Sequence, residues 1–95
     1  MSTEIPAELK LEIKKLIMDT LGITNVDPET IDDEKPLFGG GNALTLDSVD
    51  ALELIMALQR TYRIRIGDQN LARNIVRSVN SMAAFILEQQ GKTNA

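Results

Sequence analysis

Residues 49–62 carry two separate apolar stripes, and that double pattern constrains the fold more than any other feature of the chain. At about 100° per residue, Ala51, Leu54, Ile55, Leu58 and Tyr62 fall in one sector of a helix, whereas Val49, Leu52 and Met56 fall in another, roughly opposite. A helix packed on one side needs only one stripe. Either this helix is central and buried on both sides, or its second stripe is offered to a partner. Glu53, Arg60 and Arg63 border the second stripe, and charges beside apolar residues at i, i+3 and i+7 have the character of a docking face.

The rest of the chain reads as helices around that one. Pro6 suits the first turn of a helix, Leu9, Ile13, Leu16 and Ile17 follow at helical spacing, and Gly22 is a stop, so helix one is predicted over Pro6–Leu21. Residues 23–46 contain Asp27-Pro28, Lys35-Pro36 and Gly39-Gly40-Gly41-Asn42, which no regular element can run through. This long first loop is of the kind that is functional or disordered in a small domain, and Val26, Ile31, Leu37, Phe38 and Leu44 predict that it is pinned to the core. Helix two starts at Asp47 or Ser48 and runs to about Tyr62; Gly67 marks a break. Asp68 then caps a short helix to about Ile75, and Ser78 caps a last one, over Ser78–Leu87, with Met82, Phe85 and Ile86 on its apolar face. Gly91 to Ala95 is expected to fray. Arg63-Ile64-Arg65-Ile66 alternates but is too short to outweigh its helical neighbours. The predicted fold is all-α: a small four-helix bundle of three longer helices and one short one, a single domain across residues 1–95 with about 6–88 ordered.

Composition narrows the chemistry. With no Cys and no His, the chain lacks thiolate nucleophiles, disulfides, ordinary structural zinc sites and the side chain best suited to proton transfer near neutral pH. The core must be mostly Leu, Ile, Val and Met, since Phe38, Tyr62 and Phe85 are the only aromatic residues. No catalytic residue and no metal site is expected. Gly39-Gly40-Gly41 follows no strand and precedes no Gly-Lys-Ser/Thr, and the Asp47 region lacks the spacing of a calcium loop. No apolar run approaches the roughly 20 residues that span a bilayer, and no signal-like segment opens the chain, so a cytoplasmic monomer without membrane contact is expected.

The net charge of −4 hides a division. Residues 1–50 hold four Lys against eleven acidic residues, a net of −7, while residues 51–95 hold five Arg and one Lys against three acids, a net of +3. Such polarity points to an oriented protein partner; nucleic acid would want a basic stripe interleaved with aromatic residues.

Asp47-Ser48-Val49-Asp50 opens helix two and puts a hydroxyl between two carboxylates. The plain reading is capping, with Asp47 as N-cap and Asp50 three residues on as an analogue of the capping-box acid. Ser48, however, follows Asp47 and is not needed as the cap. A phosphate esterified to it would sit at the positive end of the helix.

Across Asp47-Ser48-Val49-Asp50-Ala51-Leu52-Glu53-Leu54-Ile55-Met56-Ala57-Leu58 the chain resembles the acyl carrier proteins, with Val49 where that family usually has Leu. The long first loop, short third helix and last helix follow in the family order. The resemblance implies that Ser48 carries a 4′-phosphopantetheine arm, attached by a phosphopantetheinyl transferase, whose thiol would supply the sulfur the chain lacks. It implies a non-enzymatic carrier that holds acyl groups as thioesters and often shelters a short chain between helices. Its clients would be acyl-transferring and ketoacyl synthase-type enzymes of fatty acid, polyketide or modified-lipid biosynthesis. By the same likeness, Val49, Leu52 and Met56 fall where the family presents apolar residues to partners, and Asp47, Asp50 and Glu53 match its acidic contacts.

Two departures set the chain apart. Housekeeping carriers usually continue helix two with acidic residues, but this one reads Gln59-Arg60-Thr61-Tyr62-Arg63, so Arg60 and Arg63 would meet like charge on basic docking patches. Pro36-Leu37-Phe38-Gly39-Gly40-Gly41-Asn42 resembles carriers of dedicated polyketide, aryl-polyene or modified-lipid clusters. Both suggest a specialised carrier. Two alternatives remain at this level: a peptidyl or aminoacyl carrier with the same arm, and an unmodified helical adaptor offering only the apolar stripe.

Overall fold

The computed structural model describes residues 5–38 and 46–93, with side chains through residue 90. Four helices occur in it: α1 (Ala7–Leu21), α2 (Ser48–Tyr62), α3 (Gln69–Ile75) and α4 (Val79–Thr93), with one 3-10 turn at Pro28–Thr30. This is the all-α bundle the spacing predicts. No helix among the described residues is long and apolar enough to cross a membrane.

Local chemistry sets the helix ends. Pro6 stands just outside α1 as its N-cap rather than in its first turn, and its carbonyl accepts from the N–H groups of Leu9 and Lys10. Gly22 ends α1 at φ 69°, with the Gly22 N–H donating to Asp19 and the Ile23 N–H to Met18. That bonding closes the last turn and requires the left-handed backbone that glycine takes without a Cβ penalty. At the end of α2 the same conformation falls on Arg63, at φ 53°, where a non-glycine residue costs roughly 1–2 kcal/mol. The Asp68 side chain caps α3 through the Asn70 N–H. Ser78 and Ser81 cap α4 reciprocally: each hydroxyl oxygen accepts from the other residue's backbone N–H, at 3.2 and 2.9 Å.

Helix α4 continues through Thr93, past the Leu87 end and into the segment predicted to fray. Gly91 does not stop it. A single glycine inside a helix costs only about 1 kcal/mol relative to alanine, and no proline follows.

The core brings Ile13 and Ile17 of α1, Leu54 and Leu58 of α2, Ile75 of α3 and Val79, Met82 and Ile86 of α4 into one cluster. Leu16, Ile55 and Phe85, predicted to be core, are partly buried at its margin. Tyr62 differs similarly: its ring is half-buried and its hydroxyl donates to Glu12 Oε1 at 3.0 Å. A phenol at the end of a helix can cover the core with its ring while its polar tip reaches outward. Burial, then the Glu12 carboxylate, raises the Tyr62 pKa above the usual phenol range.

The long loop is tied to the bundle at several points. Ile31 and Leu37 are fully buried, and Val26 and Phe38 pack partly against the core. The Leu37 N–H donates to the Arg77 carbonyl, the Asn80 N–H to the Asp33 carbonyl, and the Leu46 N–H to the Leu37 carbonyl. Buried Lys14 meets the Asp33 carboxylate at 2.6 Å, with Lys10 at 3.4 Å. The Asp32 carboxylate accepts from the Lys35 and Glu34 N–H groups, which together hold its pKa below the usual range. Leu44 and the Gly39-Gly40-Gly41-Asn42 run lie outside the described residues.

Candidate functional site

Ser48 is the first residue of α2 and is exposed. Its neighbours already satisfy the helix terminus. The Asp50 N–H donates to Asp47 Oδ1 at 3.0 Å, and the Asp47 N–H donates to Asp50 Oδ2 at 3.1 Å, a reciprocal capping box. The capping reading of the two aspartates is therefore correct, and it excludes Ser48. Its hydroxyl makes no hydrogen bond among the described residues. It stands at the end of the helix where unpaired N–H groups concentrate positive potential, which favours a phosphate.

Beside Ser48 lies a cavity of about 570 Å³ between α2 and α3. Leu46, Ala51, Ile55, Ala72 and Val76 give it apolar walls, Phe38 brings in the long loop, and Gln69 and Arg73 add polar groups. Ala51 and Ile55, grouped with the core by periodicity, are half-buried because they line this cavity. Phe38, Leu46, Ala72, Arg73 and Val76 were not legible as site residues. They come from three separate segments, and no spacing in the sequence links them; the only signal was the apolar content of the loop.

The second stripe of α2 faces solvent. Val49, Leu52 and Met56 are 64%, 61% and 62% exposed, against 0% and 1% for Leu54 and Leu58. The central-helix reading is thereby set aside. Exposed Glu53 stands next to Leu52 on α2. Arg60 lies one turn beyond Met56, and the two line a shallow hollow with Gln59. Arg63 follows as the left-handed C-cap. Asp47, Ser48 and Asp50 are thus together at one end of α2, and Arg60 and Arg63 are at the other, not beside the serine.

Residues 12–86 match the family described as "Phosphopantetheine attachment site". Over 84 residues the chain is 33% identical to "Anthracycline acyl carrier protein DpsG" of Streptomyces peucetius, covering 87% of this chain and 93% of that one. The chain belongs to the acyl carrier protein family. It is also 30% identical to "Acyl carrier protein" of Bdellovibrio bacteriovorus, over 85% of this chain and 92% of the relative. To "Acyl carrier protein" of Solidesulfovibrio magneticus it is 28% identical, over 85% and 94%. An acyl carrier protein works through phosphopantetheine, and the residues present fit that group. An accessible hydroxyl at a helix N-terminus can accept the phosphodiester, and the adjoining cavity is within the size range of small-molecule sites.

Proposed function

We propose that Ser48 is the attachment point of the 4′-phosphopantetheine arm and that the chain carries acyl groups between enzymes without doing bond chemistry of its own. The observation that carries this reading is the division of labour in the first turn of α2: Asp47 and Asp50 close the helix on each other, and Ser48 is left exposed, with no hydrogen bond to its hydroxyl among the described residues. When attached, the arm supplies the terminal thiol on which an acyl group is held as a thioester, the chemistry that a chain without Cys lacks. The α2 N-terminus stabilises the phosphate negative charge. The apolar walls beside Ser48 take up the acyl chain and keep it from water.

Val49, Leu52 and Met56 form the docking stripe, with Asp47, Asp50 and Glu53 at its serine end and Arg60 and Arg63 at its far end. The first partner is a phosphopantetheinyl transferase; later ones are acyl-transferring and ketoacyl synthase-type enzymes. The change from acidic to basic along α2 and the likeness to a carrier named for anthracycline favour a dedicated pathway, of polyketide or modified-lipid type, over housekeeping fatty acid synthesis.

Coexpression with a broad-specificity phosphopantetheinyl transferase, followed by intact-mass measurement, tests the attachment. One added phosphopantetheine per chain is expected, mapped to the peptide containing Ser48. An unmodified chain, or an arm on another residue, refutes the assignment. Mass spectrometry of the thioester cargo on the modified protein taken from its own cells tests the pathway.

A further inference from the structure

Arg60 is part of the exposed stripe, not only its border. At about 100° per residue it comes round to within roughly 20° of Val49 and 40° of Met56, and it shares a shallow hollow with Met56. Arg60, Arg63 and Arg65 are all exposed, and none forms an ion pair among the described residues. One cation in the last turn suffices to complement the helix dipole. Three within six residues, with no carboxylate among the described residues paired with them, exceed that need. Arg63 moreover occupies a left-handed position that suits glycine, a local preference overridden in favour of a cation.

An arginine that continues an apolar docking stripe is covered when the stripe is covered. Its guanidinium must then be met by an acceptor, and a planar five-donor group is best met by a carboxylate in bidentate fashion. We propose that the enzyme to which this carrier docks offers an apolar groove for Val49, Leu52 and Met56 that ends in acidic side chains against Arg60 and Arg63. The acid against Arg60 lies about 18 Å along α2 from Ser48, the rise of twelve helical residues, and the one against Arg63 lies farther, past the helix end. The inference rests on the carrier reading of Ser48 and deepens it by naming the partner's chemistry. Because Asp47, Asp50 and Glu53 occupy the opposite end, the face has a sense of direction. A partner matched to both ends accepts α2 in one orientation only, and so brings Ser48 to one place on its surface. Partners with an entirely basic rim are rejected by the arginine end.

The test uses carrier whose modification at Ser48 has been verified by intact mass, so failure of the attachment reading is seen before docking is measured. The probes are one ketoacyl synthase with a basic docking rim and the same enzyme with the rim positions facing the far end of α2 changed to Glu. Acyl transfer from wild-type carrier should be about tenfold faster to the acidic-rim enzyme at low salt, and the difference should shrink at high salt as the charges are screened. Arg60→Glu combined with Arg63→Asn should reverse the preference; asparagine tolerates the left-handed backbone. If the altered synthase does not fold, the unaltered one still decides, since it must gain rate with the substituted carrier. Equal rates to both rims, or no gain from the substitutions, overturns the proposal. So does a stable dimer of this chain that Arg60→Glu dissolves, because a second copy would then be the occupant of the stripe.

Discussion

Asp47 and Asp50 exchange hydrogen bonds across the first turn of α2, at 3.0 and 3.1 Å, and pass over the serine between them. The two roles at this helix start should therefore separate by mutation. Ser48→Ala should change stability by no more than about 0.5 kcal/mol, as for an ordinary surface site, while abolishing transfer of the arm. Asp47→Ala should cost about 1 kcal/mol, the usual value of a lost N-cap. Urea denaturation reads the first quantity and intact mass the second.

The contrast between the two stripes of α2 makes a second test. Leu58 is fully buried in the central cluster, so Leu58→Ala should destabilise by about 2–5 kcal/mol. Val49→Ala and Met56→Ala remove side chains that face solvent and should cost under about 0.5 kcal/mol. Chemical denaturation of the three variants checks the difference. Equal losses would show that the second stripe is also covered in the isolated protein.

The Lys14–Asp33 pair links α1 to the long loop. Lys14 is buried, whereas the Asp33 side chain retains 31% of its exposure. Asp33→Ala leaves Lys10 as well as Lys14 without the carboxylate and should cost on the order of 1–3 kcal/mol, below the range for fully buried pairs because solvent still reaches the site. Lys14→Met in the same background should recover part of the loss by removing the stranded ammonium. A double-mutant cycle in urea measures this coupling.

Tyr62 predicts an alkaline dependence with a definite sign. Its pKa is raised in the folded state by burial and by Glu12, so above about pH 10 the folded chain holds a phenolic proton that the unfolded chain has begun to release. The corresponding stability is complete below that pH and falls as pH rises toward the folded-state pKa. Tyr62→Phe should remove this part of the decline. Unfolding free energies of both proteins between pH 9 and 11 test it, and parallel curves would mean that the phenol is not held neutral by the fold.

Much of the organisation was readable because it is local. Asp47, Asp68 and Ser78 bond within three residues of themselves, so cap chemistry identifies the helix starts directly. Gly22 ends α1 for a comparably local reason. The exception is α4, where a glycine that ordinarily suggests an end lies within the helix; propensity is a weak influence that the rest of an element can override. For the candidate site, the sequence shows that Ser48 follows a better cap and is not needed as one; the role proposed for it comes from the likeness to acyl carrier proteins.

By itself, the sequence determined four helical segments, a serine at the head of the second that is not needed as its cap, and the existence of two apolar stripes on that helix. Only the tertiary structure decided which stripe is covered. Periodicity reports the direction of a side chain from its helix axis, not what stands opposite it, and that depends on where α1, α4 and the loop pack. Packing also turned Ala51 and Ile55 from core residues into cavity walls, by bringing Leu46 and α3 alongside them. Tyr62 and Glu12 are fifty positions apart, and their hydrogen bond likewise arises only when α1 and α2 lie side by side. Such contacts join segments whose separation along the chain carries no repeating signal, so burial and proximity emerge only when the fold is complete.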